Sequence, residues 1–218
     1  MKEKQKMKEK VKEFIVKNLK WIILFICLIG FLAIAEDVFN KEIMNGDIVG
    51  YKLISTFLIS DFATPIAKFI TNFGGAIFLA VLTIILFILI KNKKIGVSIF
   101  SNLVIITALN QLLKNILQRP RPTEYRIIEE TGYSFPSGHS MISMAFYGYI
   151  IYLIYKYVTN KYIKWISIVL LSILICSIGI SRIYLGVHYT SDVLGGFLIS
   201  VSYLVIYISA VNKFLIEK

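Results

Sequence analysis

Cysteine is almost absent from the 218 residues: Cys27 and Cys176 are the only two, and each lies inside an apolar run. Neither has a second thiol at disulfide or metal-ligand spacing, so a disulfide framework and a zinc cluster are excluded and both are read as small core hydrophobes. Charge is scarce too, at 17% of residues against 57% hydrophobic. That balance is the composition of a chain solvated by lipid. Repeats and low-complexity tracts are missing apart from a lysine-rich start. The few acids show no arrangement for Mg²⁺, so the expectation is no metal and no cofactor.

The apolar residues are present in long runs. A hydrocarbon core about 30 Å thick needs ~20 mainly apolar residues per helix, and six stretches approach that length: Trp21–Phe39, Phe73–Ile90, Gly96–Leu117, His139–Val158, Tyr162–Leu185 and Tyr189–Phe214. The expected fold is all-α, an integral membrane bundle of six transmembrane helices. Short loops would make neighbours antiparallel within one domain, residues 21–218, with residues 1–20 as a basic cytoplasmic segment. No soluble domain is left over. Residues 1–20 hold eight lysines and three glutamates ahead of the first run. A nucleic-acid arm has similar composition, but the anchor that follows favours a membrane-surface flank, and no nucleic-acid partner is expected. The first run also ends in Ala33-Ile34-Ala35 before Glu36 in the manner of a signal peptide. The long basic region, and the five spans that cleavage would leave, favour its retention.

Threading the chain six times puts 16 of the 24 basic residues on the N-terminal side and nine of the 13 acids on the other. Short lysine-rich loops face the cytoplasm, so both termini are expected there, in the plasma or inner membrane. Every arginine then falls on the outer side, against that bias, which suggests an anionic ligand.

The outer cations belong to three clusters. Lys114 ends the third span, at helical spacing from Asn110 and Thr107, and leads into Arg119-Pro120-Arg121-Pro122. This spacing predicts a polar face turned into the bundle, although a snorkelling lysine at a helix end is the plainer alternative. Pro136-Ser137-Gly138-His139 opens the fourth span, where free N–H groups and a close-approach glycine form an anion site. An ordinary helix cap with an interfacial histidine reads the same way. The third cluster is Ser181-Arg182, His188 and Asp192. His188 and Asp192 are four apart, so on a helix the carboxylate reaches the imidazole, fixes its tautomer and makes it a better nucleophile. A satisfied Arg182–Asp192 pair at a helix end remains open. Under six spans all three clusters converge on one membrane face, supplying a nucleophile with an orienting acid, a general acid and three cations for phosphate oxygens.

At these residues the chain resembles the type-2 phosphatidic acid phosphatase family, whose motifs are K-x-x-x-x-x-x-R-P, P-S-G-H and S-R-x-x-x-x-x-H-x-x-x-D. Lys114 with Arg121-Pro122, Pro136–His139, and Ser181-Arg182 with His188 and Asp192 match every fixed position. The resemblance implies a metal-independent, two-step phosphatase. Lys114, Arg121, Arg182, Ser137 and the Gly138 N–H would hold the substrate phosphate, His188 assisted by Asp192 would form a phosphohistidine, and His139 would protonate the leaving group and then activate water. Within the family the chain looks most like small bacterial phosphatidylglycerophosphate phosphatases, some of which act on undecaprenyl diphosphate. The expected partner is a lipid phosphate in the bilayer, with undecaprenyl diphosphate first and phosphatidylglycerophosphate and phosphatidate behind it. Vanadate-dependent haloperoxidases share the motifs but are soluble, which six apolar spans oppose. A lipid-phosphate transporter or binding protein would also want an anion site, yet has no need of the His188–Asp192 pair.

Overall fold

The computed structural model describes residues 2–41 and 44–213, and of residues 2–16 the backbone alone. The described residues form helices joined by turns and loops, with no strand. In chain order the helices are α1 (Lys2–Phe39), α2 (Asn45–Leu58), α3 (Ala63–Asn72), α4 (Ala76–Leu89), α5 (Lys93–Leu117), α6 (Gly138–Tyr157), α7 (Lys161–Tyr184) and α8 (Thr190–Val211). The lysine-rich start is thus continuous with the first apolar run. Phe214, the expected end of the last span, lies outside the described residues, as do Met1 and Lys218.

Side-chain caps fix several of the boundaries. The Asn92 side chain accepts from Lys94 N at the start of α5, and Asn160 accepts from Tyr162 N and Ile163 N at the start of α7. Each thereby satisfies N–H groups that the first helical turn leaves open. α5 stops where Gln118 turns left-handed at φ 44°, immediately before the loop that carries Arg119, Arg121 and Arg126.

Among the described residues, four helices are long and apolar enough to cross a membrane: Lys17–Phe39 of α1, and α5, α7 and α8. A fifth arises if α3 and α4, bent by 50° at a short break, count as one span. The expected span Phe73–Ile90 therefore begins at the break: its helical part is α4, 14 residues, and only together with α3 does it pass as a span. Helix α6 is not among the four. It is the central helix, packed on α5, α7 and α8, and its buried face carries Ser140, Ser143, Tyr147 and Tyr149. A helix shielded by its neighbours has no lipid to match and tolerates that polarity.

The outer surface is what hydrocarbon requires. On α1, Phe25, Ile26, Ile29 and Leu32 are exposed, and on α7, Ile166, Val169, Leu170 and Ile173. Such faces far exceed the apolar patches a water-soluble monomer leaves open. Cys176 lies exposed on α7 rather than in the core, while Cys27 is half-buried; a thiol costs little against lipid, so the core reading fails for Cys176. Thr107 is likewise exposed and returns its hydroxyl to Leu103 O at 2.7 Å. That back-bond satisfies it within its own helix, so it does not join Asn110 on an inward face. Loops are not uniformly short either. The stretch between the first two expected spans folds into α2 and α3, and both pack on α7.

Candidate active site

The C-terminal ends of α5 and α7 and the N-terminal ends of α6 and α8 meet at one end of the bundle, under the loop that joins α5 to α6. Backbone hydrogen bonds sew that loop down: Ser134 N donates to Arg119 O at 2.8 Å, Ile127 N to Leu185 O at 3.0 Å and Ser137 N to Asp192 O at 3.1 Å. Asn110 is buried and donates through Nδ2 to Pro136 O at 3.2 Å, which holds the Pro136–His139 turn against α5.

His188 is not on a helix. It follows Gly186, whose φ of 70° lets the chain reverse out of α7 where a β-carbon would collide with Tyr125 O. Tyr189 then caps α8 in an extended conformation. The spacing of four still works, because the Asp192 carboxylate reaches back over the cap: Oδ2 lies 3.2 Å from His188 Nδ1 and accepts from Tyr189 N at 2.9 Å. Ser134 Oγ donates to the same oxygen, and Arg119 Nη1 donates to Oδ1 at 2.7 Å. Asp192 is completely buried and His188 is 3% exposed.

The partner of Arg182 differs from the open alternative. Rather than Asp192 it engages Glu130, with Nη2 2.5 Å from Oε1, and Thr71, with Nη1 2.7 Å from Oγ1. Its Nε is buried and finds no partner among the described residues. Arg121 spans from the loop to the histidine: Nη1 lies 3.0 Å from both His188 Nε2 and Val187 O, and Nε donates to Gly132 O at 3.0 Å. Glu130 Oε2 is 3.9 Å from Arg121 Nη2. Lys114 is half-buried, with Nζ donating to Tyr133 O at 2.5 Å. Ser137 caps α6 and accepts from Ser140 N. His139, half-buried in the first turn of α6, lies within electrostatic reach of Arg182, His188, Arg121 and Lys114. The structure therefore brings all eight expected site residues, Lys114, Arg121, Ser137, Gly138, His139, Arg182, His188 and Asp192, to one end of the bundle.

Burial holds the His188 imidazole down to about 4, against the opposing pull of the Asp192 hydrogen bond and charge. The ring is neutral at neutral pH. With Nδ1–H given to Asp192, its lone pair sits on Nε2, facing the Arg121 guanidinium. Burial alone would raise the Glu130 carboxyl, but Arg182 and Arg121 outweigh it and hold the group below the usual carboxylate range. A carboxylate thus lies among the cations where an anion belongs.

Sequence reasoning missed Asp47, Thr71, Glu130 and Ser134 and gave Arg119 no partner. Asp47 and Thr71 arrive from α2 and α3, far from the motifs in sequence, so no spacing rule points to them. Ser134 and Glu130 sit in the loop, whose path no periodicity reveals.

A lipid-facing helical exterior, with a buried histidine–aspartate pair among cations at one end, defines a multi-pass membrane protein. The PAP2 superfamily model matches residues 94–216, and the chain belongs to that superfamily. It is similar to phosphatidylglycerophosphatase B of Bacillus subtilis, 42% identical over 91 residues, which are 41% of this chain and 44% of that protein. The chain thus matches less than half the length of that relative. It is also similar to undecaprenyl-diphosphatase of Sulfolobus acidocaldarius, 27% identical over 74% of this chain and 73% of that protein. Among solved structures, the first transmembrane PAP2 type phosphatidylglycerolphosphate phosphatase from Bacillus subtilis superposes with a TM-score of 0.77 at 26% identity, covering 88% of this chain and 96% of that one. Aquifex aeolicus LpxE shares the fold, with a TM-score of 0.58 at 20% identity over 73% of this chain and 92% of that one.

Proposed function

We propose that this chain hydrolyses a lipid phosphate or diphosphate through a phosphohistidine at His188. The observation that carries the reading is the His188–Asp192 contact: Nδ1 lies 3.2 Å from Oδ2, which draws the proton to Nδ1 and leaves the Nε2 lone pair facing Arg121, 3.0 Å away, beside Arg182. Nε2 attacks phosphorus and the bond from phosphorus to the lipid-side oxygen breaks, with His139 supplying that oxygen's proton. His139, now neutral, takes a proton from water, which attacks the phosphohistidine; the nitrogen–phosphorus bond breaks and phosphate leaves. Arg121, Arg182, Lys114, Ser137 and the Gly138 N–H offset the charge on the phosphoryl oxygens. The unpaired Arg182 Nε supports that role, since a buried guanidinium N–H without an acceptor is costly. Protein cations supply the electrostatic stabilisation here, so the proposed reaction needs no metal.

For the substrate, undecaprenyl diphosphate is the first choice, in keeping with the diphosphatase among the relatives. Phosphatidylglycerophosphate is second, in keeping with the Bacillus subtilis relative and structure, and phosphatidate third. We further propose six crossings, with α6 as the shielded central one and α3–α4 as a broken one. Residues 1–20 and the C-terminus would be cytoplasmic and the site would open outward, as the lysine distribution supports. Phosphate release by the purified protein over a panel of these lipids, in EDTA, tests the reading. Release from at least one panel lipid is expected, greatest with undecaprenyl diphosphate. A protein that binds these lipids but releases no phosphate from any would overturn it in favour of a lipid-phosphate binding protein.

A further inference from the structure

The Asp192 carboxylate is gripped from behind by groups outside the fixed positions of the three motifs. Arg119 Nη1 lies 2.7 Å from Asp192 Oδ1 and 2.7 Å from Ser191 Oγ, while its Nη2 lies 2.7 Å from Asp47 Oδ2. The other Asp47 oxygen accepts from Ser191 N at 2.8 Å. The guanidinium is also stacked 4.1 Å over the Tyr189 ring. Side-chain exposure is 6% for Arg119 and 1% for Asp47. Helix α2 can bring Asp47 this close because Gly50 offers no side chain where a β-carbon would meet Thr190.

A buried arginine between two buried carboxylates is expensive to desolvate and holds only when geometry is good on both sides. Here both sides are met, and the chain of contacts runs from α2 through Arg119 to Asp192 and on to the nucleophilic ring. Asp47 lies outside residues 94–216, the segment matched by the family. We infer that Arg119 and Asp47 are positioning residues for the proposed reaction: Arg119 fixes and neutralises Asp192 from the side opposite His188, and Asp47 fixes Arg119.

The inference rests on His188 and Asp192 acting as proposed above, and its signature is directional. Asp192 on α8, Glu130 and Arg121 on the loop, His139 on α6 and Arg182 on α7 act on the imidazole, and Lys114 on α5 acts on Arg121, Asp192, Glu130 and Arg182 around it. Within that set Arg119 tempers the Asp192 charge. Removing it strengthens the pull of Asp192 on the imidazolium, so His188 holds its proton to higher pH and the acid limb of kcat/KM moves upward. Lysine keeps the charge but cannot span two carboxylates.

The test uses the full chain in detergent or nanodiscs, with undecaprenyl diphosphate, or whichever panel lipid it hydrolyses best. Arg119→Gln should lose roughly 10–100-fold in kcat, the range seen when partners that orient a functional group are removed, with the acid limb shifted up. Arg119→Lys should also lose kcat while keeping the wild-type limb. Asp47→Asn should lose kcat with no upward shift, and adding it to Arg119→Gln should cost nothing further, because contacting residues in one network are not additive. Vanadate binding to each variant reports that the site is intact. Wild-type kcat and limb in Arg119→Gln would overturn the inference, as would a kcat loss with an unmoved limb. If Arg119→Gln does not fold, Arg119→Lys and Asp47→Asn decide: full kcat in both overturns it. Failure of the parent reading is separately visible, as wild-type protein that turns over without phosphorylating His188.

Discussion

Glu130 lies where the account puts substrate phosphate, so neutralising it should tighten anion binding. Glu130→Gln keeps the side-chain shape and one acceptor oxygen but removes the charge that Arg182 Nη2 meets at 2.5 Å and Arg121 at 3.9 Å. A charge-assisted hydrogen bond of this kind contributes about 1.5–3 kcal/mol. The Glu130 side chain is 29% exposed, so solvent screening brings the competing energy down to about 1–2 kcal/mol. That range is a factor of roughly 5–30 in an equilibrium constant. The vanadate inhibition constant should fall by that factor in Glu130→Gln, and Glu130→Asp should stay near wild type. An unchanged or raised constant in Glu130→Gln would refute the competition and mean that Glu130 holds Arg182 in position instead.

The role of His139 separates substrate classes: an alkoxide leaving group, with conjugate acid near pKa ~16, needs its proton in the transition state, whereas a phosphate monoester with second pKa about 6 does not. His139→Ala should slow the rapid-quench burst of phosphoenzyme by ~10²–10⁴-fold with a lipid monophosphate and far less with the matched diphosphate; equal losses would remove it as the general acid. Stability has a pH signature, because His188 holds a pKa near 4 when folded against 6.5 as its ordinary value. The unfolded chain binds the proton more readily, so stability falls as pH drops from 6.5 to about 4; thermal unfolding should show that slope, and His188→Asn should flatten it. For sidedness, cysteine at Glu124 should react with an impermeant reagent on intact cells and cysteine at Asn92 should not; labelling at Asn92 alone would invert the orientation.

The site was readable in the sequence because its parts lie in short motifs at helix ends, where spacing translates into geometry. Lys114, Pro136–His139, Arg182, His188 and Asp192 all arrive at the same end. The pairing of His188 with Asp192 survives even though the histidine precedes α8, since a carboxylate three residues into a helix reaches back over its cap. The groups that were not readable come from elsewhere in the chain. Asp47 and Thr71 are carried in by α2 and α3, which hydropathy treats as loop. Glu130 depends on a loop path that no periodicity encodes. Hydropathy also hides the break at Gly74-Gly75, where apolar residues continue on both sides of a bend, and it underrates α6, whose polar residues are shielded by three neighbours.

The central claim is the covalent intermediate on His188. Wild-type protein turning over a lipid substrate labelled in its terminal phosphate, quenched under denaturing conditions and digested, should carry acid-labile label on the peptide containing His188. His188→Ala should carry none and should not turn over, while still binding vanadate through Arg121, Arg182 and Lys114. Label on another residue, or turnover by His188→Ala, would contradict the account.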